Sequence, residues 1–193
     1  MISEIIRFLL SNFTLTFFVI GIVCSTAKIY RNRKRANKAF VIESLISYYC
    51  LFALGISSIY NFVMHVVFHK MAASFIGWAD SPFQLEVGFA SLGLGIVGVL
   101  AFRKDFGLRL GLIIALSTFF WGAAAGHLYQ IAVNHNFAPG NSGIMLWTGL
   151  LQPVISFSLL YLSYSTSKGL PVARSIPSYS RMIPFSKLKT KLK

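Results

Sequence analysis

The sequence predicts an all-α polytopic membrane protein, a transmembrane helix bundle of five spans with its N-terminus outside and its C-terminus in the cytoplasm. Three observations carry that expectation: composition, the length of the apolar runs, and the placement of charge. Hydrophobic residues make up 55% of the 193 positions and charged ones 12%, with a mean hydropathy of +0.67. Soluble domains carry about a quarter charged residues, so this chain is built for a different solvent.

The apolar residues fall into five runs: Phe8 to Ala27, Phe40 to Val67, Pro82 to Phe102, Gly107 to Val133 and Gly143 to Tyr164. Each is about as long as a helix needs to cross a hydrocarbon core of roughly 30 Å. Inside hydrocarbon the backbone must satisfy its own hydrogen bonds. No alternating barrel pattern is visible, so the runs read as helices. Residues 1–167 form the bundle and residues 168–193 a basic tail.

The net charge of +13 lies in alternate connections. Lys28, Arg31, Arg33, Lys34, Arg35 and Lys38 follow the first run. Arg103, Lys104 and Arg109 follow the third, against Asp105, and seven more basic residues lie in the tail from Lys168. The other connections, His69 to Ser81 and Asn134 to Ser142, hold one Lys and no Arg. The positive-inside rule makes the basic side cytoplasmic. A signal peptide would show the reverse flanks, so the first run reads as an uncleaved span. The charges hug the membrane and form no separate domain, which argues against nucleic-acid binding. They suit anionic lipid at the basic loop and at the tail lysines Lys187, Lys189, Lys191 and Lys193. Cys24 and Cys50 have no motif around them and read as apolar packing.

Small residues mark the third run at Gly88, Ser91, Gly95 and Gly98, and the fourth at Gly107, Gly111, Ala115, Thr118, Gly122 and Ala125. Such stripes let helices approach closely in lipid, and the expectation is that these two pack on each other. Glycine-rich faces left uncovered would serve a homo- or hetero-oligomer.

The polar residues converge at the opposite end from the basic loops. Asn61, His65 and His69 share one face of the second run, Gln84 and Glu86 enter with the third, and His127 and Gln130 leave with the fourth. An ionisable residue in a span normally faces a partner, so Glu86 is expected to point inward and pair with His127, with His65 and His69 nearby. Gln84, Asn61, Gln130 and Asn141 complete the candidate pocket. Glu43, the acid in the basic half, reads as a cap offsetting the basic loop.

The blocks GWADSPFQLEVGFASLGLG, GAAAGHLYQ and NFAPGNSG resemble an uncharacterised bacterial family of small multi-pass membrane proteins, a domain of unknown function. The likeness spans roughly Ile56 to Leu160 and leaves out the first span, the basic loop and the tail. It implies signature positions at Gly77, Trp78, Ser81, Pro82, Phe83, Gln84, Glu86, Gly88, Gly126, His127, Gln130, Pro139, Gly140 and Asn141, and a bacterial inner-membrane location. It implies no activity.

Three functions stay open. The cluster could hold a metal ion through Glu86, His127 and His65, or a small ligand, since imidazole and carboxylate suit such sites in helix bundles. Axial haem ligation is the weaker form of that reading, because no CxxCH motif is present. The cluster could carry protons or a small solute, although few polar residues continue toward the basic end. Or it could fix helix packing through a satisfied network. No nucleophile motif, nucleotide loop or catalytic carboxylate pair supports a reaction class, so a non-enzymatic role is the better expectation.

Overall fold

The computed structural model describes residues 1–103 and 106–168, and among them five helices are long and apolar enough to cross a membrane. The basic tail, with Lys187, Lys189, Lys191 and Lys193, lies outside the described residues. The described chain is helical, with no strand. In order, the helices are α1 (Ile2–Ser11), α2 (Phe13–Arg31), α3 (Lys38–Val66), α4 (His69–Ile76), α5 (Phe83–Leu100), α6 (Phe106–Asn134), α7 (Pro139–Ser142) and α8 (Ile144–Lys168). The spans α2, α3, α5, α6 and α8 follow the five apolar runs to within a few residues, except at the start of the first.

There the run expected from Phe8 divides. Asn12 leaves the helical region (φ −111°, ψ 42°) and its side-chain amide donates to the Phe8 carbonyl at 2.9 Å. Asparagine competes locally with helical hydrogen bonding, and here it separates α1 from α2. α1 is amphipathic and has no buried residue, and the span proper begins at Phe13.

The small-residue stripe of α5 packs on α3, where the sequence suggested α6. A Cβ on Gly98 would lie 2.7 Å from the Gly55 nitrogen, and one on Gly95 would lie 2.9 Å from the Ile59 nitrogen. Only glycine lets the backbones approach so closely. Gly111 and Gly122 of α6 meet nothing within 4 Å. At the crossing α3 widens into a π-helical stretch, Tyr49–Ile56, a type of local rewinding that often marks functional helices.

The tightly packed core lies toward the basic end. Ile46, Cys50, Ala53, Leu54, Ala101, Leu112, Ile113, Leu116 and Leu160 form one buried cluster there. Beside it sits an ion pair that corrects two sequence expectations. Arg109 is 3% exposed within α6, not a loop charge. Its Nη1 donates to Glu43 Oε2 at 3.0 Å and its Nη2 to Glu43 Oε1 at 2.9 Å; Nη2 also donates to Ser47 Oγ at 2.9 Å. Nε donates to the Ala101 carbonyl at 2.9 Å, closing the end of α5. Glu43 therefore does not cap α3. Asn37 does, its side chain accepting from Phe40 N–H at 2.9 Å. The planar guanidinium is suited to this because it engages a carboxylate through two parallel donors.

Arg109→Met strands the Glu43 carboxylate in a low-dielectric setting and is expected to destabilise the protein by about 3–5 kcal/mol. The Glu43→Met, Arg109→Met double variant is expected to recover most of that loss. Thermal unfolding in detergent checks both, and equal losses in the two variants would contradict the pairing.

Candidate functional site

The histidine end holds three separate polar pairs, each tying two segments together. His65 on α3 donates from Nδ1 to Gln84 Oε1 on α5. His69 at the start of α4 donates to Asp80, 2.8 Å from Oδ1, with both side chains more than a third exposed. His127 on α6 donates from Nδ1 to Asn141 Oδ1 on α7 at 2.7 Å. Asn61, one turn below His65, donates to Ser91 Oγ at 2.9 Å, and Ser91 in turn donates to the Val87 carbonyl. Gln130 accepts from Asn134 on its own helix at 2.8 Å and joins none of these pairs.

Asn141 is the centre of the cap at this end. It is fully buried. Its Oδ1 accepts from Trp78 Nε1 at 2.9 Å as well as from His127, and its Nδ2 donates to the carbonyls of Asn136 (2.9 Å) and His127 (3.2 Å). Two donors and two lone pairs are thus all used. That network fixes which way the amide points and leaves His127 protonated on Nδ1. Asn136 repeats the device, donating to the Ile76 and Gly77 carbonyls at 3.0 and 3.1 Å. Gly77 ends α4 in the left-handed region at φ 72°, where a Cβ would also strike Asn136. The connections α4–α5 and α6–α8 are therefore knitted into one lid.

Glu86 does not take part, which corrects the expectation that it faces a histidine. It is exposed, and its side chain makes no hydrogen bond or ion pair to any described residue. Helix phase explains this. Gln84, Gly88, Ser91, Gly95 and Gly98 form the buried face of α5, and at about 100° per residue Glu86 lies roughly 200° around from Gln84. Among the described residues no three His, Cys, Asp or Glu side chains come together as a group that could hold a metal ion, so the structure does not bring Glu86, His127 and His65 together as one.

Beneath the lid is a cavity of about 830 Å³ whose lining includes four of the pocket candidates, Asn61, His65, Gln84 and His127, but whose apolar walls and depth the sequence did not point to. Its walls include Met64, Phe75, Phe119, Phe120 and Leu146, with His65, Gln84 and His127 at the lid end. Among the described residues, Arg7, on α1, is the one fixed charge lining it. Ser57, Ser58 and Gln152 lie deeper. Ser58 and Gln152 each stand eight residues from the lid end of their helix, about 12 Å at 1.5 Å per residue. Below them Tyr49 donates to the Gln152 carbonyl at 3.0 Å and lies 2.8 Å from Ser156 Oγ, which closes the bottom.

A model of the family of unknown function DUF6790 matches residues 11–169. The chain belongs to that family. The DUF6790 match is wider than the resemblance read from the three sequence blocks, since it takes in the first span and the basic loop. It contains the cap and the cavity lining except Arg7 and Leu10. No curated protein and no solved structure matches the chain. The five long apolar helices make this DUF6790 protein an integral membrane protein.

Asn141→Ala strands the Trp78 indole N–H and three further groups at a fully buried position. At about 1–3 kcal/mol for each buried group left unpaired, a loss of more than about 3 kcal/mol is expected. Glu86→Gln is expected to stay within about 0.5 kcal/mol of the parent, as an exposed change away from any contact. Thermal melts of both variants in detergent check this, and a larger effect at Glu86 would reverse the assignment.

Proposed function

We propose that this protein is a membrane-embedded binding protein that holds a small, mostly apolar molecule in the cavity under the lid. The observation that supports it most is the cavity itself. Its 830 Å³ lies within the range of roughly 300–1,000 Å³ typical of ligand sites, and it pairs apolar walls with a few polar groups, as such sites do. The basic half of the bundle is filled by interlocking side chains. A protein that needed its polar residues only for helix packing would have no reason to leave the other half hollow.

Carriage of a small solute is the second reading. Buried polar pairs continue past the cavity toward the basic end, from Tyr49 and Ser156 to Ser47, Glu43 and Arg109. Binding is the simpler reading, because Arg109 is already held by a carboxylate, a hydroxyl and a carbonyl.

Gly122 offers a clean test, since it lines the cavity and a Cβ there meets nothing within 4 Å. The probe is 1-aminoanthracene, a small uncharged fluorophore, titrated into the protein in lipid nanodiscs against empty nanodiscs. Saturable binding near one per chain is expected, with at least about a tenfold loss of affinity in Gly122→Leu, or about 1.4 kcal/mol. The melting temperature should be unchanged. Saturable binding that survives the substitution, or none in the parent protein, would sink the proposal.

A further inference from the structure

Four polar features gather at the deep end of the cavity, and none is spent on holding the fold. Ser57 and Ser58 are 4% and 5% exposed, and their hydroxyls bond to no described residue. Both follow directly on the π-helical stretch of α3. Gln152 is 3% exposed, and its amide nitrogen and oxygen both lack a hydrogen-bond partner. Pro153 supplies the fourth feature. It stands inside α8 and has no N–H to return to the carbonyl of Gly149, a residue that also lines the cavity.

Unsatisfied polar groups in hydrocarbon are costly, and interrupted helices are tolerated in membranes where they line a cavity. Other polar residues of this protein show how readily such groups can be satisfied. Thr118 donates to Ile114, Ser91 to Val87 and Asn61 to Ser91, each within or between helices. Against that background, Ser57, Ser58 and Gln152 form a polar floor with hydrogen-bonding capacity in reserve.

Charge narrows what the floor would take. No fixed charge lies among these residues, and Arg7, the fixed charge in the cavity's described lining, stands on the exposed helix α1 and not in the floor. Among the described residues the buried cation is Arg109, which is committed to Glu43 beyond the Tyr49–Ser156 closure. An anionic group brought to the floor would lose its hydration with no opposite charge to replace it. A hydroxyl, carbonyl or amide would lose far less and could use both kinds of hydrogen-bonding group present. Above the floor the walls are Met64, Phe75, Phe119, Phe120 and Leu146, which suit an alkyl or aromatic body.

We infer that the cavity selects an uncharged small amphiphile, seated with its hydroxyl, carbonyl or amide end on the floor made by Ser57, Ser58 and Gln152. The inference rests on the binding function proposed above and names its ligand class. Both amide atoms of Gln152 are covered by protein in this conformation, so the ligand meets them through a rotamer change of that side chain.

The test displaces 1-aminoanthracene from the full chain in nanodiscs with three ten-carbon competitors at pH 9: 1-decanol, decane and decanoate. Ten carbons are comparable to the depth of about 12 Å from lid to floor. Decanol is expected to compete at about tenfold lower concentration than decane or decanoate, the worth of one or two buried hydrogen bonds. Two variants probe the floor, Gln152→Leu and the Ser57→Ala, Ser58→Ala pair. Each should cut the preference for decanol over decane about threefold or more, while decane itself competes as before. Gln152→Leu replaces an unpaired amide with an apolar side chain of similar volume, so its melting temperature should hold or rise, and loss of selectivity cannot be blamed on misfolding. Equal potency of the three competitors in the parent protein, or a decanol preference unchanged in both variants, would overturn the inference. In either case intact 1-aminoanthracene binding would leave the binding function standing, whereas absence of that binding would remove the function itself.

Discussion

The seam between α3 and α5 is the contact on which the rest of the structure depends. It runs antiparallel in a steady register, Gly55 against Gly98, Ile59 against Gly95, Asn61 against Ser91 and His65 against Gly88, with the His65 side chain reaching one turn further to Gln84. In lipid no hydrophobic effect draws two helices together, so close packing and hydrogen bonds must do it. The glycines supply the close approach at the basic end, and the polar pairs fix the register at the histidine end. Shifting α5 by one residue would break all four matches at once. With one side of α3 committed to α5, its Ser57, Ser58 and Asn61 stand at the edge of the open space bounded by α6 and α8.

The two halves of the bundle treat polar groups differently. Near the basic end they are consumed: Arg109 alone satisfies a carboxylate, a hydroxyl and a backbone carbonyl. In the lid they are consumed as well, with every hydrogen-bonding position of Asn141 in use. Between these two satisfied layers lies the cavity, and at its floor the hydroxyls of Ser57 and Ser58 and the amide of Gln152 are left over. Stability is thus concentrated above and below a region that packs loosely, the arrangement expected where a site must admit something.

Most of the architecture was legible in the sequence because hydrocarbon imposes a length. A run of Leu, Ile, Val and Phe long enough to cross has few alternatives, and the span boundaries came out within a few residues, save where Asn12 interrupts the first. Pairing was less legible. A stripe of small residues shows that something approaches closely, not which helix, and the stripe of α5 found Gly55 rather than α6. Arg109 sits just inside a helix, 66 residues from Glu43, and position alone made it look like a loop charge. For Glu86 the signal was present and misread: the phase set by Gln84 and the glycines already turned that carboxylate away from the seam. His65, His69 and His127 do lie toward one end, but they belong to three pairs, not one cluster. Of the pocket candidates, Asn61, His65, Gln84 and His127 do line the cavity, but its apolar walls and depth were beyond reach, since a hollow depends on how the helices lean together and no single residue encodes it.

The most direct measurement of the central claim is the reactivity of a thiol placed on the cavity floor. Ser58→Cys, in a Cys24→Ala background and in native membranes, would be treated with methyl methanethiosulfonate, a small uncharged reagent. Cys50, fully buried in the packed half, serves as the internal standard. A hollow reaching from the lid to the floor requires Cys at 58 to react at least about a hundredfold faster than Cys50, a fraction of the protection that full burial can confer. A residue at 58 as inert as Cys50 would mean that the two halves are equally solid, and the binding account would fall with it.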